Sequence, residues 1–218
     1  MSRSLIILGT SGNAYDLLDI VEAVNLQSRT WKVAGFLDDG RERGSRYLGL
    51  PVLGGIADAA SLDECWFINA IGSDSTFRRR PAIVERCGVA LQRFATLVHP
   101  GASVSARARL GFGVCVSFGA SVAGGVTVGN HVSIAPLAVV GHDTMIDDHA
   151  VLAPSTTVSG FARIGHSCYL GAKSSIRQRI CVGDEALIGM GAVVVRDVPV
   201  RATVVGNPAR PLSIRSIA

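Results

Sequence analysis

From Val104 to Val194 an aliphatic residue recurs at every sixth position without a break: Val104, Leu110, Val116, Val122, Val128, Ile134, Val140, Ile146, Leu152, Val158, Ile164, Leu170, Ile176, Val182, Ile188 and Val194. Four residues after most of these stands a small or β-branched residue, as in Ala120, Ala138, Thr144, Ala150, Thr156, Cys168 and Ala186. One residue after, glycine is frequent (Gly111, Gly129, Gly141, Gly165, Gly171, Gly183, Gly189). A period of six is neither the 3.6 of a helix nor the 2.0 of a flat strand. It fits a chain that turns a corner every hexapeptide and stacks coil upon coil, about 18 residues to a triangular coil. Aliphatics then fill a central shaft, small residues fit the corners, and glycine is expected to take the turns. The pattern predicts a parallel β-helix.

Before Val104 the pattern is different. Residues 4–9 (SLIILG) predict a buried strand, followed by a Gly9–Asn13 turn and a helix to about Asn25 with Leu17, Leu18, Ile20, Val21 and Val24 apolar. KVAGFLDD (Lys32 to Asp39) predicts a second strand that ends on paired acids, which completes a β-α-β unit. LGLPVLGG and CWFINAIG predict further strands, TFRRRPAIVERCG a helix broken near Pro81, and RFATLVHP the last strand of this domain. The fold class is therefore a small Rossmann-like α/β domain with a parallel sheet over 1–97, then a β-helix with a C-terminal tail over 98–218.

Composition narrows the function classes. Only 17% of residues are charged, 48% are hydrophobic and the mean hydropathy is +0.38. A thin aliphatic prism whose faces pack on other subunits suits those values, and a homotrimer is expected. No apolar run reaches the ~18 residues of a membrane span, and the N-terminus lacks a signal peptide's apolar core, so the expected location is cytoplasmic. The net charge of +4 suits anionic small molecules. No basic patch interleaved with aromatics points to nucleic acid. Five cysteines without a CxxC pair read as buried free thiols, and no metal site is expected.

The periodic stretch, the small α/β domain before it, and the segments Gly9-Thr10-Ser11-Gly12-Asn13, Asp38-Asp39, Gly72, His99-Pro100 and Gly206 to Ala209 together resemble the bacterial hexapeptide-repeat sugar O-acyltransferases. These are of the sialic-acid O-acetyltransferase type and include N-acetyltransferases acting on nucleotide-linked amino sugars. The resemblance covers nearly the whole chain. It implies a left-handed β-helix, acetyl-coenzyme A as acyl donor, a nucleotide-linked sugar as acceptor, and a homotrimer with active sites between subunits. It implies that Ser11, Gly12, Asn13, Asp38, Asp39 and Gly72 contact the nucleotide sugar. Coenzyme A would meet Gly160, Ala172, Met190, Gly191 and Arg210.

Acetyl transfer from a thioester to an amine calls for a base near neutral pKa, and histidine is the natural one. Of His99, His131, His142, His149 and His166, His142 has the acidic neighbour Asp143 and, 18 residues away on either side, Gly124 and Gly160. The segment from His142 to Asp148 resembles the family's catalytic segment, so His142 and Asp143 are the expected catalytic pair. Two positions depart from the family: Val151 stands in place of a second histidine, and Ala135 in place of an asparagine. His131 and His149 lie 18 apart and stack in one column, read either as a replacement for the missing group or as outward surface histidines. O-acetylation of a sialic-acid-like sugar, a zinc hydratase and a non-catalytic nucleotide-sugar-binding scaffold remain as alternatives.

Overall fold

A computed structural model describes residues 2–212. The N-terminal region is a five-stranded sheet built from β1 (Arg3–Leu8), β2 (Trp31–Leu37), β3 (Arg46–Tyr47), β4 (Leu50–Gly54) and β5 (Cys65–Asn69), in the order β3-β4-β2-β1-β5. The β2, β1 and β5 neighbours pair in parallel, as does β4 with β2, while β3 and β4 form an antiparallel edge hairpin. Burial is continuous along Leu5–Leu8, as a strand covered on both faces requires. Helix α1 (Asn13–Gln27) lays Ala14, Leu17, Ile20 and Val21 against one face of the sheet. Its spacing of buried residues is that of one helical stripe.

Two local predictions change. The arginine-rich segment is not a helix broken at Pro81. A short 3-10 turn over Phe77–Arg79 leads into α2 (Arg80–Arg86), and Pro81 sits in its first turn, where a missing N–H costs nothing. RFATLVHP is not the last strand of the open sheet. Phe94 makes a single parallel bridge with Phe67, and Leu97–Val98 pairs with Cys115–Val116 as the first rung of the prism.

From Ser103 onward every aliphatic of the six-residue series is the second residue of a two-residue strand, from Ser103–Val104 to Val193–Val194. The strands form three parallel stacks in strict 18-residue register: Ser103, Ser121, Val139, Thr157, Ser175 and Val193 on a first face, Arg109 to Cys181 on a second, and Cys115 to Leu187 on a third. The architecture is a left-handed parallel β-helix. The series is buried from Val116 onward, while Val104 and Leu110 at the first coil are half-exposed. The small-residue column is fully enclosed, and the Thr156 hydroxyl donates to the Ala153 carbonyl at 2.7 Å.

The glycines do not take the turns as expected. From Leu110 to Ile188 the left-handed residue of each corner comes three positions after the inward aliphatic, and most are not glycine: His131, Leu137, Asp143, His149, Phe161 and Arg179 all have φ between 55° and 64°. The glycine one position after the aliphatic answers a close approach instead. A Cβ on Gly141 would lie 2.6 Å from the Gly160 nitrogen of the next coil. The corner conformation costs about 1 kcal/mol for a non-glycine residue. Each such N–H is bonded to the coil beneath, for example Asp143 to the Gly124 carbonyl at 3.1 Å.

Candidate active site

The C-terminal ends of β1, β2 and β5 gather the predicted acceptor residues, at the point where the chain runs to either side of β1. Open α/β sheets bind ligands at such switch points. Gly9 needs its positive φ of 90°, and a Cβ there would strike Ile71. Gly12, at the start of α1, has open space where a Cβ would be. The Ser11 hydroxyl and the Asn13 amide both donate to the Ala70 carbonyl, at 2.8 and 3.0 Å, so they bind the turn to β5. Asp38 accepts from the Thr10 N–H (2.7 Å), the Thr10 hydroxyl (2.6 Å) and the Gly40 N–H (2.7 Å). Burial pulls its pKa up, but these donors and Arg41 outweigh it and hold the carboxyl below its ordinary value. Asp39 accepts from the Ile56 N–H at 2.9 Å and pairs with Arg86 at 3.0 Å.

Between this domain and the third face of the prism lies a cleft of about 110 Å³. Asn13, Asn69, Ala70 and Gly72 line it from the domain; Ser133, Ala135, Val151 and Tyr169 line it from the prism. The two departures from the family pattern, Ala135 and Val151, therefore face one space, together with Gly72. The sequence reading missed Asn69, Asp16 and Tyr169, since nothing in their neighbourhood distinguishes them from other strand and helix residues. Asn69 is 4% exposed; its Oδ1 accepts from the Ile71 N–H, and its Nδ2 has no partner among the described residues. Burial and the neighbouring Asp19 raise the Asp16 carboxyl above its usual value. Cys115, on the cleft wall, is an inert thiol, with its pKa pushed up to about 12 by burial.

Arg80 was also missed. It is 1% exposed and spans from α2 to the prism, donating to the carbonyls of Ile71 (2.7 Å) and His131 (2.5 Å) and to the Ser133 hydroxyl (3.2 Å). Burial lowers its pKa to about 10, so it stays charged at neutral pH. In the sequence it is one of three consecutive arginines before a proline, and no local feature marks which of them is buried.

His142 stands elsewhere. It lies on the edge between the first and second faces, 61% exposed, with Nδ1 2.9 Å from Asp143 Oδ2. Its ring meets Phe161 edge-on at 4.9 Å. A Cβ on Gly160 would come within 2.9 Å of His142 Nε2, so Gly160 makes room for the imidazole itself. The carboxylate at Nδ1 leaves Nε2 as the nitrogen open to a reacting proton. The cleft opens at the third face and the edge after it, so the whole first face separates it from His142 on the same prism.

The other predicted residues fall on both edges. Gly160 shares the His142 edge. Ala172, Met190 (78% exposed) and Gly191 lie on the edge beside the cleft. Arg210 is in the short antiparallel return against Val205, and its Nη1 donates to the Ala209 carbonyl.

His131 and His149 do stack, 4.9 Å apart and 11° from parallel, but not as outward surface residues. His131 is 3% exposed, under Phe94 of the N-terminal region, and the Nδ1 atoms of both rings are buried without partners among the described residues. Desolvation, helped by Arg80, lowers both to about 4. Rings held neutral this way are poor bases near pH 7. The thiols are also not all buried as expected: Cys87, Cys115 and Cys168 are, whereas Cys181 is exposed.

Residues 4–86 match the PglD N-terminal domain family. Over 97% of this chain and 100% of the other, the structure is similar to the acetyltransferase domain of PglB from Neisseria gonorrhoeae FA1090, at 32% identity and a TM-score of 0.82. The chain belongs to the hexapeptide-repeat sugar acetyltransferases. The same PglB domain in complex with acetyl coenzyme A aligns with a TM-score of 0.83. A His-to-Asn mutant of perosamine N-acetyltransferase from Caulobacter crescentus, in complex with CoA and GDP-perosamine, aligns over 96% of this chain and 97% of that one, at 25% identity and a TM-score of 0.83. A curated relative, the mitochondrial serine acetyltransferase 3 of Arabidopsis thaliana, is 46% identical over 50 residues, which are 23% of this chain and only 13% of that protein. Among the described residues no helix is long and apolar enough to cross a membrane.

Proposed function

We propose that the protein transfers an acetyl group from acetyl-coenzyme A to the amino group of a nucleotide-linked amino sugar, with His142 as general base. The observation that carries this reading is the His142–Asp143 pair on an open prism edge of a sugar acetyltransferase fold. Acetyl coenzyme A in the PglB domain complex, and CoA with GDP-perosamine in the perosamine N-acetyltransferase complex, support the two substrates. The acceptor's nucleotide lies at the β1, β2 and β5 ends, over the open Gly12, and its sugar enters the cleft.

In the reaction, the sugar ammonium gives one proton to solvent, and as the neutral amine nitrogen attacks the thioester carbonyl His142 Nε2 takes a second proton from it. The carbon–sulfur bond breaks, and the proton passes from the imidazolium to the departing thiolate. Asp143 stabilises the imidazolium and fixes its orientation. General-base catalysis contributes about 100- to 10,000-fold.

A base on one edge and a cleft on another serve one reaction if subunits adjoin. The protein acts as a homotrimer in which the cleft of one subunit faces the His142 edge of a second. Exposed Phe118 and Leu137 on the cleft edge, Phe161 on the His142 edge, Val139 on the first face between them and Met145 on the second face support this, since monomers seldom leave such apolar surface bare. The same arrangement joins Gly160 of one subunit to Ala172, Met190 and Gly191 of another around the donor. A cytoplasmic location matches this reading.

The test supplies acetyl-coenzyme A with a panel of nucleotide-linked amino sugars and follows thiol release and acetyl mass gain. We expect one or more amines to be acetylated, with His142→Asn lowering kcat/KM about 100- to 10,000-fold and leaving the fold intact. Transfer to hydroxyls alone, or near-full activity in His142→Asn, would overturn the corresponding half of the reading.

A further inference from the structure

Arg80 is a buried cation without a counter-ion. No carboxylate pairs with it among the described residues, and its hydrogen bonds all go to neutral oxygens, the Ile71 and His131 carbonyls and the Ser133 hydroxyl. A charge held this way is costly in a protein interior. Joining the two halves does not by itself call for one. Phe77 already packs on Tyr169 at 5.7 Å, and the Arg78 Nε donates to the Glu185 carbonyl at 3.1 Å.

The guanidinium lies directly behind the cleft wall. Gly72 and Ser133 line the cleft, one from each half. Ser133 Oγ accepts from Arg80 at 3.2 Å, and a Cβ on Gly72 would collide with Arg80 Nη1. A ligand resting on Gly72 therefore feels this charge through protein, not through water. The reach of the charge shows on its neighbours, since Arg80 is among the causes that hold His131 and His149 neutral. The other titratable groups around the cleft are the neutral Cys115 thiol, the Tyr169 phenol, raised by burial and Asp74, and Asp16. Asp148 acts on the histidine pair, and Asp19 on Asp16. Asp16 is the one carboxylate on the cleft wall among the described residues; it is exposed, so water screens it, whereas Arg80 is enclosed.

We propose that Arg80 makes the bound acceptor amine neutral: its buried guanidinium repels an ammonium in the cleft, so the amino sugar gives a proton to solvent as it binds. This rests on the amino-sugar reading above. An amine flanked by carbon–oxygen bonds titrates near the ~8 of an α-amino group, so it is mostly charged at neutral pH. A like charge acting through protein lowers such a value by on the order of one unit, which frees about half of the bound amine at pH 7. The protons balance. The first leaves the ammonium for solvent and uncovers the lone pair; the second leaves only as the carbon–nitrogen bond forms, and His142 takes it. Arg80 touches no reacting atom. It is a positioning residue, acting on the amine through Gly72 and Ser133.

The test counts protons. The nucleotide-linked amino sugar that the enzyme acetylates is titrated into wild type at pH 7 by calorimetry, in buffers of different ionisation enthalpy. The same nucleotide sugar with a hydroxyl in place of the amine serves as the reference, which cancels protons moved by the protein itself. Wild type should release about half a proton more with the amine than with the hydroxyl, and Arg80→Gln close to none. The acid limb of kcat against pH should move up by about one unit in Arg80→Gln, so that kcat falls about five-fold at pH 7 and recovers above pH 9. An Arg80 that only joins the halves would lower kcat by the same factor at every pH. Arg80→Lys, which keeps a charge without the fork, should keep the proton release and raise the acceptor KM. If Arg80→Gln assembles poorly by light scattering, Arg80→Met gives the same comparison with no polar group to bury. No extra proton released by wild type, or a release that survives loss of the Arg80 charge, overturns the proposal and leaves acetyl transfer standing. If no nucleotide-linked amino sugar is acetylated at all, the amino-sugar reading falls first and this proposal with it.

Discussion

The two halves of this protein use opposite strategies. The prism repeats one solution at every hexapeptide, and its core from Val116 to Val194 is a single column of aliphatics with a second column of small residues. The N-terminal region solves each contact once. Its two clusters, around Leu5 and Ile7 on one side of the sheet and Ile6 and Leu8 on the other, share no repeating pattern. Chemistry follows the same division. The prism offers regular edges on which any side chain can be displayed, and His142 occupies one. The N-terminal region supplies particular loops at strand ends, tied to one another by Asp38, Ser11 and Asn13. Arg80 fastens the two halves together. A repeat gives a ruler; a unique fold gives a pocket.

The largest expected effect that sharpens this contrast is in the prism core. Leu152→Ala removes a side chain enclosed on all sides, which typically costs about 2–5 kcal/mol. Because each coil touches only its neighbours, hydrogen exchange should quicken in the coils next to Leu152 while β1 and β5 keep their protection. Uniform loss of protection through both halves would break the distinction.

A smaller effect should appear at the seam. His131 and His149 have folded pKa values near 4, below the ordinary 6.5, so the unfolded chain binds more protons between those values. Their contribution to stability is complete above pH 6.5 and is lost as the pH falls toward 4, by on the order of a few kcal/mol for the pair. Arg80, Asp148 and His166 act on the same rings and are part of the measured response. Denaturant titrations at pH 7.5 and pH 4.5 should show that His131→Asn with His149→Asn flattens this slope. An unchanged slope would place the acid-sensitive groups elsewhere.

What the sequence revealed follows from the same contrast. Sixteen aliphatics in register left one architecture for the prism, and the stacking of His142 with Gly124 and Gly160 came from counting alone. The corners were misjudged. Backbone bonds between coils stabilise left-handed Asp143, His131 and Phe161 strongly enough that glycine is not required, and glycine is needed where coils touch. In the N-terminal region, strand existence was legible from apolar runs but partnership was not. Leu97–Val98 reads like any short strand, and only the tertiary structure assigns it to the prism. The cleft was least legible. Asn69, Tyr169, Ala135 and Val151 are far apart in sequence and meet only because two differently built halves dock.

The central claim is that a cleft from one subunit and His142 from another form one active site, and mixing subunits tests it most directly. His142→Asn keeps its cleft; Ala135→Trp fills the cleft but keeps its base. Each alone should be nearly inactive. Unfolded together in equal amounts and refolded, they should form mixed trimers with about one quarter of wild-type activity, since random assembly pairs an intact cleft with an intact His142 at that frequency. A mixture no more active than the two parents, in trimers shown to be mixed, would contradict the account.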